Sequence, residues 1–109
     1  MEVTTKEIDG TQIICIEGKV DTNTSPELEK ALMELIDQEK VNLLANFEKL
    51  LFISSAGLRV LLAAAKKTKA KSGHLKVCNL NETVKEVFDI SGFSSILSVY
   101  GSEQEALKN

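Results

Sequence analysis

Apolar and polar positions alternate at the start of the chain and recur at helical spacing further on. Residues 3–8 and 11–17 are rich in β-prone side chains and flank Asp9-Gly10. This dipeptide between two such segments is the strongest short signal for a two-residue hairpin turn. The pattern therefore predicts that two antiparallel strands open the fold.

The first helix is predicted where apolar side chains begin to recur every three or four residues. These positions are Leu28, Ala31, Leu32, Leu35 and Ile36. Thr24 or Ser25 is expected to cap this helix. Pro26 falls in its first turn, and Glu27 is spaced to complete a capping box with Thr24.

The remaining chain alternates strands with helices. We expect a buried strand at 41–47, and then a segment at 50–53 that leads into a serine turn and a helix ending before Gly73. A strand at 74–78 and a helix at 82–90, closed by Gly92, follow. The chain is then expected to form a strand at 95–99 and a short terminal helix with Ser102 and Glu105 as a capping box. Such an order implies a mixed β-sheet opened by a hairpin and covered by about four helices. The predicted fold class is α/β, as a single domain over residues 1–109.

Charge and composition narrow the possible functions. The formal net charge is −3, which gives no reason to expect direct nucleic-acid or anionic-lipid binding. Residues 1–40 hold ten acids and four bases, whereas residues 41–76 hold one acid and seven bases. No run of about 18 apolar residues is present, so we expect a soluble, cytoplasmic protein without membrane insertion.

Metal, redox and hydrolytic chemistry have little support in the sequence. Cys15 and Cys78 lie in apolar stretches and are expected to be buried, reduced thiols, with a disulfide or a redox role as the alternative. His74 is the only histidine, so no metal site is expected. No cofactor is expected, because phosphate-cradling and dinucleotide motifs are missing. A nucleophilic Ser55 would need a glycine where Ile53 stands, which makes a hydrolase the weakest hypothesis.

The turn Ser54-Ser55-Ala56-Gly57 is the most informative segment, because it places two hydroxyls where a strand leads into a helix. If Ser55 is the N-cap, the free N–H groups and the helix dipole would stabilise a phosphate on it. Gly57 would let a partner's backbone come close. The alternative is that Ser55 only caps the helix and Gly57 only serves packing.

The segment Ile53–Leu58, together with the strand Leu43–Phe47 and the earlier Gly18–Asp21, resembles the STAS domain of bacterial anti-sigma-factor antagonists. The resemblance covers nearly the whole chain and implies a binding protein, not an enzyme. It implies that the unphosphorylated antagonist captures an anti-sigma factor that is itself a serine kinase and so frees a sigma factor. Phosphorylation by that kinase ends the capture, and a serine phosphatase resets it.

The resemblance also implies which residues act. Alignment on Gly57-Leu58 places the phospho-acceptor on Ser55. Many members have Asp at the preceding position, where this chain has Ser54; this departure removes a charge and leaves a second hydroxyl within reach, so Ser54 is the second choice. The partner-binding candidates are Asp21, Thr22, Asn46, Ser54, Ser55, Gly57 and Arg59. Asp21 and Thr22 are expected at the carboxyl end of the second strand, on the same edge as the serine turn, and Asn46 could also reach it. Their alternative role is loop and cap hydrogen bonding.

Two further hypotheses stay open at this stage. The basic side of the second helix, with Arg59, Lys66 and Lys67, could steer an acidic partner, or could simply be a solvated helix face. The runner-up function keeps the fold but makes the chain a constitutive STAS subunit of a membrane transport or lipid-trafficking complex.

Overall fold

Six strands and four α-helices follow one another in the computed structural model, which describes residues 1–109. They are β1 (Glu2–Ile8), β2 (Thr11–Val20), α1 (Ser25–Asp37), β3 (Asn42–Asn46), β4 (Leu50–Ile53), α2 (Ser55–Ala70), β5 (His74–Cys78), α3 (Glu82–Ser91), β6 (Ser98–Tyr100) and α4 (Glu103–Lys108). The mixed α/β architecture and the opening hairpin are confirmed. No helix is both long enough and apolar enough to cross a membrane.

All six strands belong to one sheet, whose order is β1-β2-β3-β5-β6 with β4 paired to the end of β2. The β1–β2 pair is antiparallel and every other pair is parallel. The first half of β2 pairs with β3, and after an irregularity at Gly18/Lys19 its second half pairs with β4 up to Val20↔Ile53. The carboxyl ends of β2 and β4 therefore lie side by side.

The sheet buries a large core on one face and a small one on the other. Because side chains alternate along a strand, Ile14 and Ile16 of β2 point into the core beneath α1, α2 and α3, whereas Ile13 points to the opposite face. There it packs in a cluster with Leu44, Cys78 and Ala106 of α4. The serine turn lies at the start of α2, on the side of the larger core.

Two strand predictions need correction. Leu50–Ile53 is a strand, β4, and not only a lead into the serine turn. The last strand begins at Ser98 and not at residue 95, because Phe93–Ser95 forms a 3₁₀ turn. Phe93 is buried against Phe88 with ring centroids 5.9 Å apart, and this contact holds the chain in a turn before β6.

Thr24 is the N-cap residue of α1, as predicted, but the predicted capping box with Glu27 does not form, because the Thr24 side chain makes no hydrogen bond to the first turn. The Asp21 carboxylate accepts the N–H groups of Asn23 and Thr24 at 2.9 and 3.0 Å. The Thr24 hydroxyl instead donates to the Lys19 carbonyl and accepts the Asp21 N–H. Asp21 therefore fixes the entry into the helix.

The capping of α4 follows the prediction more closely. The Ser102 hydroxyl accepts the Glu105 N–H at 3.2 Å, and the Glu105 carboxylate reaches back to the Gly101 N–H at 3.3 Å.

Both cysteines are free thiols. They occupy one row across the sheet, in which Cys15 and Cys78 each pair with Asn46. Two strand spacings separate them by roughly 9–10 Å, beyond the reach of a disulfide, so that alternative is wrong. Cys78 is fully buried, and this burial raises the pKa of its thiol to about 12. Cys15 is only partly buried, which corrects the prediction for that residue.

Candidate functional site

Ser54 joins the sheet to the start of α2. Its N–H donates to the Val20 carbonyl at 2.8 Å, and its own carbonyl accepts the Leu58 N–H at 3.0 Å. Its backbone is extended, with φ −90° and ψ 173°, and its hydroxyl accepts the Gly57 N–H at 3.4 Å. This is the conformation and the contact of an N-cap residue, and it fixes where the helix begins.

Ser55 is the first residue of α2 and is exposed. The prediction that Ser55 caps the helix is therefore wrong, because the preceding residue has the non-helical backbone that a cap requires. The Ser54 hydroxyl is engaged as the cap, whereas the Ser55 hydroxyl faces solvent. The N–H groups of Ser55 and Ala56 lie in the first turn, where a helix offers no acceptor of its own.

Gly57 is a packing residue. It is buried, and a Cβ atom built on it would lie 2.7 Å from the Val20 side chain and 2.7 Å from the Ile53 side chain. Such contacts are much shorter than real side chains tolerate. The glycine thus lets the first turn of α2 rest on β2 and β4. It does not open the site to a partner, which corrects the role predicted for Gly57.

Asp21 and Thr22 lie beside the serine turn, as expected from their position after β2. Val20 pairs with Ile53, and Ser54 is bonded to the Val20 carbonyl, so the next residues on both strands leave the sheet together. Thr22 is exposed and Asp21 is partly exposed.

The Asp21 carboxylate is held by backbone donors. The N–H of Thr24 is the main cause that holds the pKa of Asp21 below its ordinary value, with partial desolvation opposing it and the N–H of Asn23 assisting. The carboxylate remains charged at neutral pH and supplies a negative charge at the edge of the sheet where the serine turn lies.

Arg59 follows Ser55 by four residues on α2, and both are exposed. Residues with this spacing are neighbours on one helix face. The guanidinium is thus the nearest basic group along the helix to the Ser55 hydroxyl. Lys66 and Lys67 are also exposed but lie about three turns further along α2, roughly 16 Å or more from Ser55 at 1.5 Å per residue.

Asn46 does not reach the serine turn, contrary to expectation. It is 7% exposed and points to the face covered by α4. Its carboxamide NH₂ donates to the Glu103 carboxylate, and its oxygen accepts the Glu48 N–H at 2.9 Å. Both ends of the carboxamide are occupied, so the side chain holds the terminal helix to β3 and is not available to a partner in this conformation.

Two apolar side chains beside the serine turn were missed by the sequence reading. Leu51 is 63% exposed and Phe52 is 41% exposed, although both lie in β4 between the buried Leu50 and Ile53. The sequence signal for them is an apolar segment immediately before two serines, which predicts a lead into the turn but does not indicate that its side chains are exposed. Exposed apolar side chains grouped at one place are typical of a protein interface. We use "serine-turn surface" for Asp21, Thr22, Leu51, Phe52, Ser55 and Arg59.

The structure places neither a metal-binding cluster nor a histidine base at Ser55. No group of three or more His, Cys, Asp or Glu side chains could hold a metal ion. His74 begins β5, at the amino end of the parallel strands, whereas Ser55 follows the carboxyl end of β4. Burial, with a contribution from Lys76, lowers the pKa of His74. The imidazole therefore lies at the wrong end of the sheet to act as a base for Ser55.

Comparison with known proteins identifies a family for this chain. The family model for the STAS domain matches residues 2–106. The Bordetella bronchiseptica protein with the provisional name anti-sigma factor antagonist BtrV is 40% identical over 106 residues, which cover 97% of this chain and 91% of that protein. The anti-sigma F factor antagonist of Paenibacillus polymyxa is 30% identical over 99 residues, covering 90% of this chain and 85% of that protein.

Solved structures show the same fold. The anti-sigma factor antagonist SpoIIAA in its unphosphorylated form has a TM-score of 0.84 at 24% identity, covering 97% of this chain and 93% of that one. The Bacillus cell fate determinant SpoIIAA in the phosphorylated form has a TM-score of 0.76 at 23% identity, covering 98% and 97%.

Proposed function

The chain belongs to the STAS-domain family of anti-sigma-factor antagonists, and from this premise we propose that it is a phosphorylation-switched binding protein and not an enzyme. In its unphosphorylated form it binds an anti-sigma factor that is a serine kinase and thereby releases a sigma factor. The kinase ends this binding by phosphorylating Ser55, and a serine phosphatase restores the unphosphorylated protein.

The observation that supports Ser55 as the acceptor is the different state of the two neighbouring hydroxyls. The Ser54 hydroxyl accepts the Gly57 N–H and is tied to the helix start, whereas Ser55 is exposed on the first turn. A kinase must reach the hydroxyl and its proton from solvent. Ser55 meets this requirement without any loss of the helix cap.

The start of α2 can accommodate a phosphate on Ser55. Phosphorylation adds about −1.5 to −2 charge at neutral pH. The unpaired N–H groups of the first turn and the positive end of the helix dipole favour an anion at this position. Arg59, one turn along, adds a positive charge on the same helix face. The modified domain is thus expected to keep its structure, so the switch acts through the interface.

The serine-turn surface has the composition of a docking site. Leu51 and Phe52 supply apolar area, and Asp21, Thr22 and Arg59 supply polar side chains on the segments that adjoin the serine turn. Leu51 and Phe52 are exposed on the strand that leads directly into the exposed Ser55, so we infer that one partner covers this strand end and the serine together. A phosphate at Ser55 would then be trapped in the contact, where desolvation and repulsion oppose binding.

The proposal is tested by incubating the protein with its kinase-type anti-sigma factor and ATP, and by mapping phosphate with mass spectrometry. We expect one phosphate on Ser55 in the wild type and in Ser54→Ala, and none in Ser55→Ala. Phosphate on Ser54 would overturn the assignment of the acceptor. Stable binding without any phosphate transfer would favour the constitutive-subunit alternative and overturn the switch.

A further inference from the structure

A notch of about 560 Å³ lies at the edge of the sheet, at the opposite end of α2 from the serine turn. It forms because β6 begins at Ser98, which pairs with Lys76, so the preceding residues His74 and Leu75 are paired with β3 on one side and have no strand on the other. The lining comes from α2, the connection that follows it, β5, and the start of β6 with the residues before it: Leu62, Ala65, Lys66, Lys69, Gly73, His74, Leu75, Lys76, Ile96, Leu97 and Ser98. Its volume falls within the range of small-molecule sites, about 300–1,000 Å³.

The floor of the notch is apolar and accessible. Leu75 and Leu97 are buried members of the main core, so the accessible apolar surface comes mainly from Leu62 and Ala65, which pack against that core and remain partly exposed. Ile96 is 54% exposed at the wall and adds a further accessible apolar side chain to the notch. An apolar group of a ligand would therefore remove apolar surface of Leu62, Ala65 and Ile96 from water.

The ionisable side chains of the notch are all basic: Lys66, Lys69, His74 and Lys76. Lys76 is committed elsewhere, since its amine donates to the carbonyls of Ala106 and Asn109 on the α4 face. Lys66 and Lys69 are exposed, and the two ion pairs of the chain involve neither of them. In a chain with a net charge of −3, two free ammonium groups above an apolar floor make a local site for negative charge.

We propose that this notch binds a small amphipathic anion, meaning a carboxylate or phosphate group carried on a short apolar chain. The apolar chain lies against Leu62, Leu75 and Ile96, and the anionic head is bound by Lys66 and Lys69. This site is separate from the serine-turn surface, because Lys66 lies eleven residues along α2 from Ser55, roughly 16 Å at 1.5 Å per residue. Its ligand is therefore expected to bind equally to the Ser55→Ala variant.

The chain provides a matched control for the role of the lysines. Lys67 is exposed on the same helix between Lys66 and Lys69 but does not line the notch. Lys67 and Lys69 both lie in the last turn, so both stabilise the helix end through its dipole. Both Lys67→Gln and Lys69→Gln remove one positive charge from the helix end. A difference in ligand affinity between the two variants therefore reports a binding role of Lys69 and not the general effect of charge.

The experiment is an NMR titration of the ¹⁵N-labelled full chain with octanoate and with octyl phosphate, each below its micelle concentration. Octanol, acetate and inorganic phosphate serve as probes that carry only the apolar chain or only the charge. We expect saturable shifts at the amides of Leu62, Leu75 and Leu97 with at least one of the two amphipathic anions. The loss of a charged hydrogen bond in Lys66→Gln or Lys69→Gln should weaken binding by at least about tenfold, and Lys67→Gln should leave it unchanged.

Three results would overturn the proposal. The absence of saturable shifts with both amphipathic anions would show that the notch does not bind this class of ligand. Octanol binding as tightly as octanoate and octyl phosphate would show that the lysines do not recognise the head group. Binding to vesicles that contain anionic lipid, without binding of either free anion, would show a basic membrane-facing surface and not a ligand site.

Discussion

The carbonyl oxygen of Val20 accepts the backbone N–H of Ser54 at 2.8 Å, and this contact joins the end of β2 to the start of α2. The preceding residue pair, Val20↔Ile53, ends the ladder between β2 and β4. Asp21 and Ser55, the next residues on the two sides, are therefore held at the same edge of the sheet. The position of the exposed serine thus depends on long-range pairing as well as on the helix itself.

The two serines of the turn are expected to respond oppositely to removal of the hydroxyl. Ser54→Ala loses the N-cap acceptor and should lower the free energy of unfolding by about 0.5–2 kcal/mol, while phosphorylation continues. Ser55→Ala should change stability by no more than about 0.5 kcal/mol but abolish phosphorylation and leave partner binding permanently on. Urea denaturation and phosphate mapping of both variants measure these effects.

Each of these variants is the control for the other. A larger loss of stability in Ser55→Ala than in Ser54→Ala would contradict the assignment of Ser54 as the cap.

Gly57→Ala is expected to be destabilising even though alanine is the better helix former. The added Cβ would lie 2.7 Å from both Val20 and Ile53, so the helix start must move away from the sheet. Overpacking of this kind costs about 1–3 kcal/mol, which exceeds the gain of up to about 1 kcal/mol in helix propensity. Thermal denaturation measures the difference, and Ala63→Gly, at a partly exposed position of α2, reports the propensity effect alone. Unchanged or higher stability of Gly57→Ala would rule out the close packing described for this residue.

The stability of the fold should depend on the charge of Asp21 in acid. Hydrogen bonds from Thr24 and Asn23 lower the pKa of the folded-state carboxyl below its ordinary value of 3.8, so the unfolded chain binds the proton first. The stabilisation by the carboxylate is therefore present above about pH 4 and is lost as the pH falls through the folded-state pKa. Asp21→Asn keeps an acceptor oxygen but no charge, so its stability should fall less steeply below pH 4.

Acid unfolding monitored by circular dichroism tests this prediction, with Asp37→Asn at the exposed end of α1 as the control. Parallel curves for the wild type and Asp21→Asn would contradict it.

Leu51→Ala should weaken partner binding with little effect on the fold. The Leu51 side chain is 63% exposed, so its truncation should change the free energy of unfolding by no more than about 0.5 kcal/mol. An interface side chain of this size contributes about 1–2 kcal/mol on truncation, which corresponds to roughly five- to thirtyfold in Kd. Ile90→Ala is the control, because Ile90 is 79% exposed but lies at the far end of α3. Equal effects of both variants in a calorimetric titration with the partner would exclude a specific role for Leu51.

The strands and helices could be predicted because their signals are local. The Asp-Gly turn and the alternating and helical periods depend only on neighbouring residues, and the hairpin and the α/β order follow from them. The pairing of β4 with β2 depends on residues about thirty positions apart, and the burial of Asn46 depends on Glu103. Neither contact can be predicted from residues that are neighbours in the sequence.

Which of the two serines caps α2 could not be predicted from the sequence either, for a different reason. Ser54 and Ser55 have the same side chain, and only the extended backbone of Ser54 makes it the cap. That backbone is set by the hydrogen bond to Val20 and by the space left at Gly57. The sequence could place the two hydroxyls at the turn, but it could not decide which of them stays free.

Phosphorylation of Ser55 should abolish partner binding without rearranging the domain. The phosphate meets unpaired N–H groups and a favourable dipole at the start of α2, so the isolated protein should be unchanged or slightly stabilised. In the complex the dianion would be covered together with Leu51 and Phe52, and a buried unpaired charge costs several kcal/mol. A penalty of about 4 kcal/mol would weaken binding by roughly a thousandfold. Calorimetry should therefore show the loss of affinity, while the melting temperature and the amide spectrum outside residues 54–60 barely change. Widespread amide shifts across the sheet would instead indicate an allosteric transition, and repulsion at the interface would no longer explain the switch.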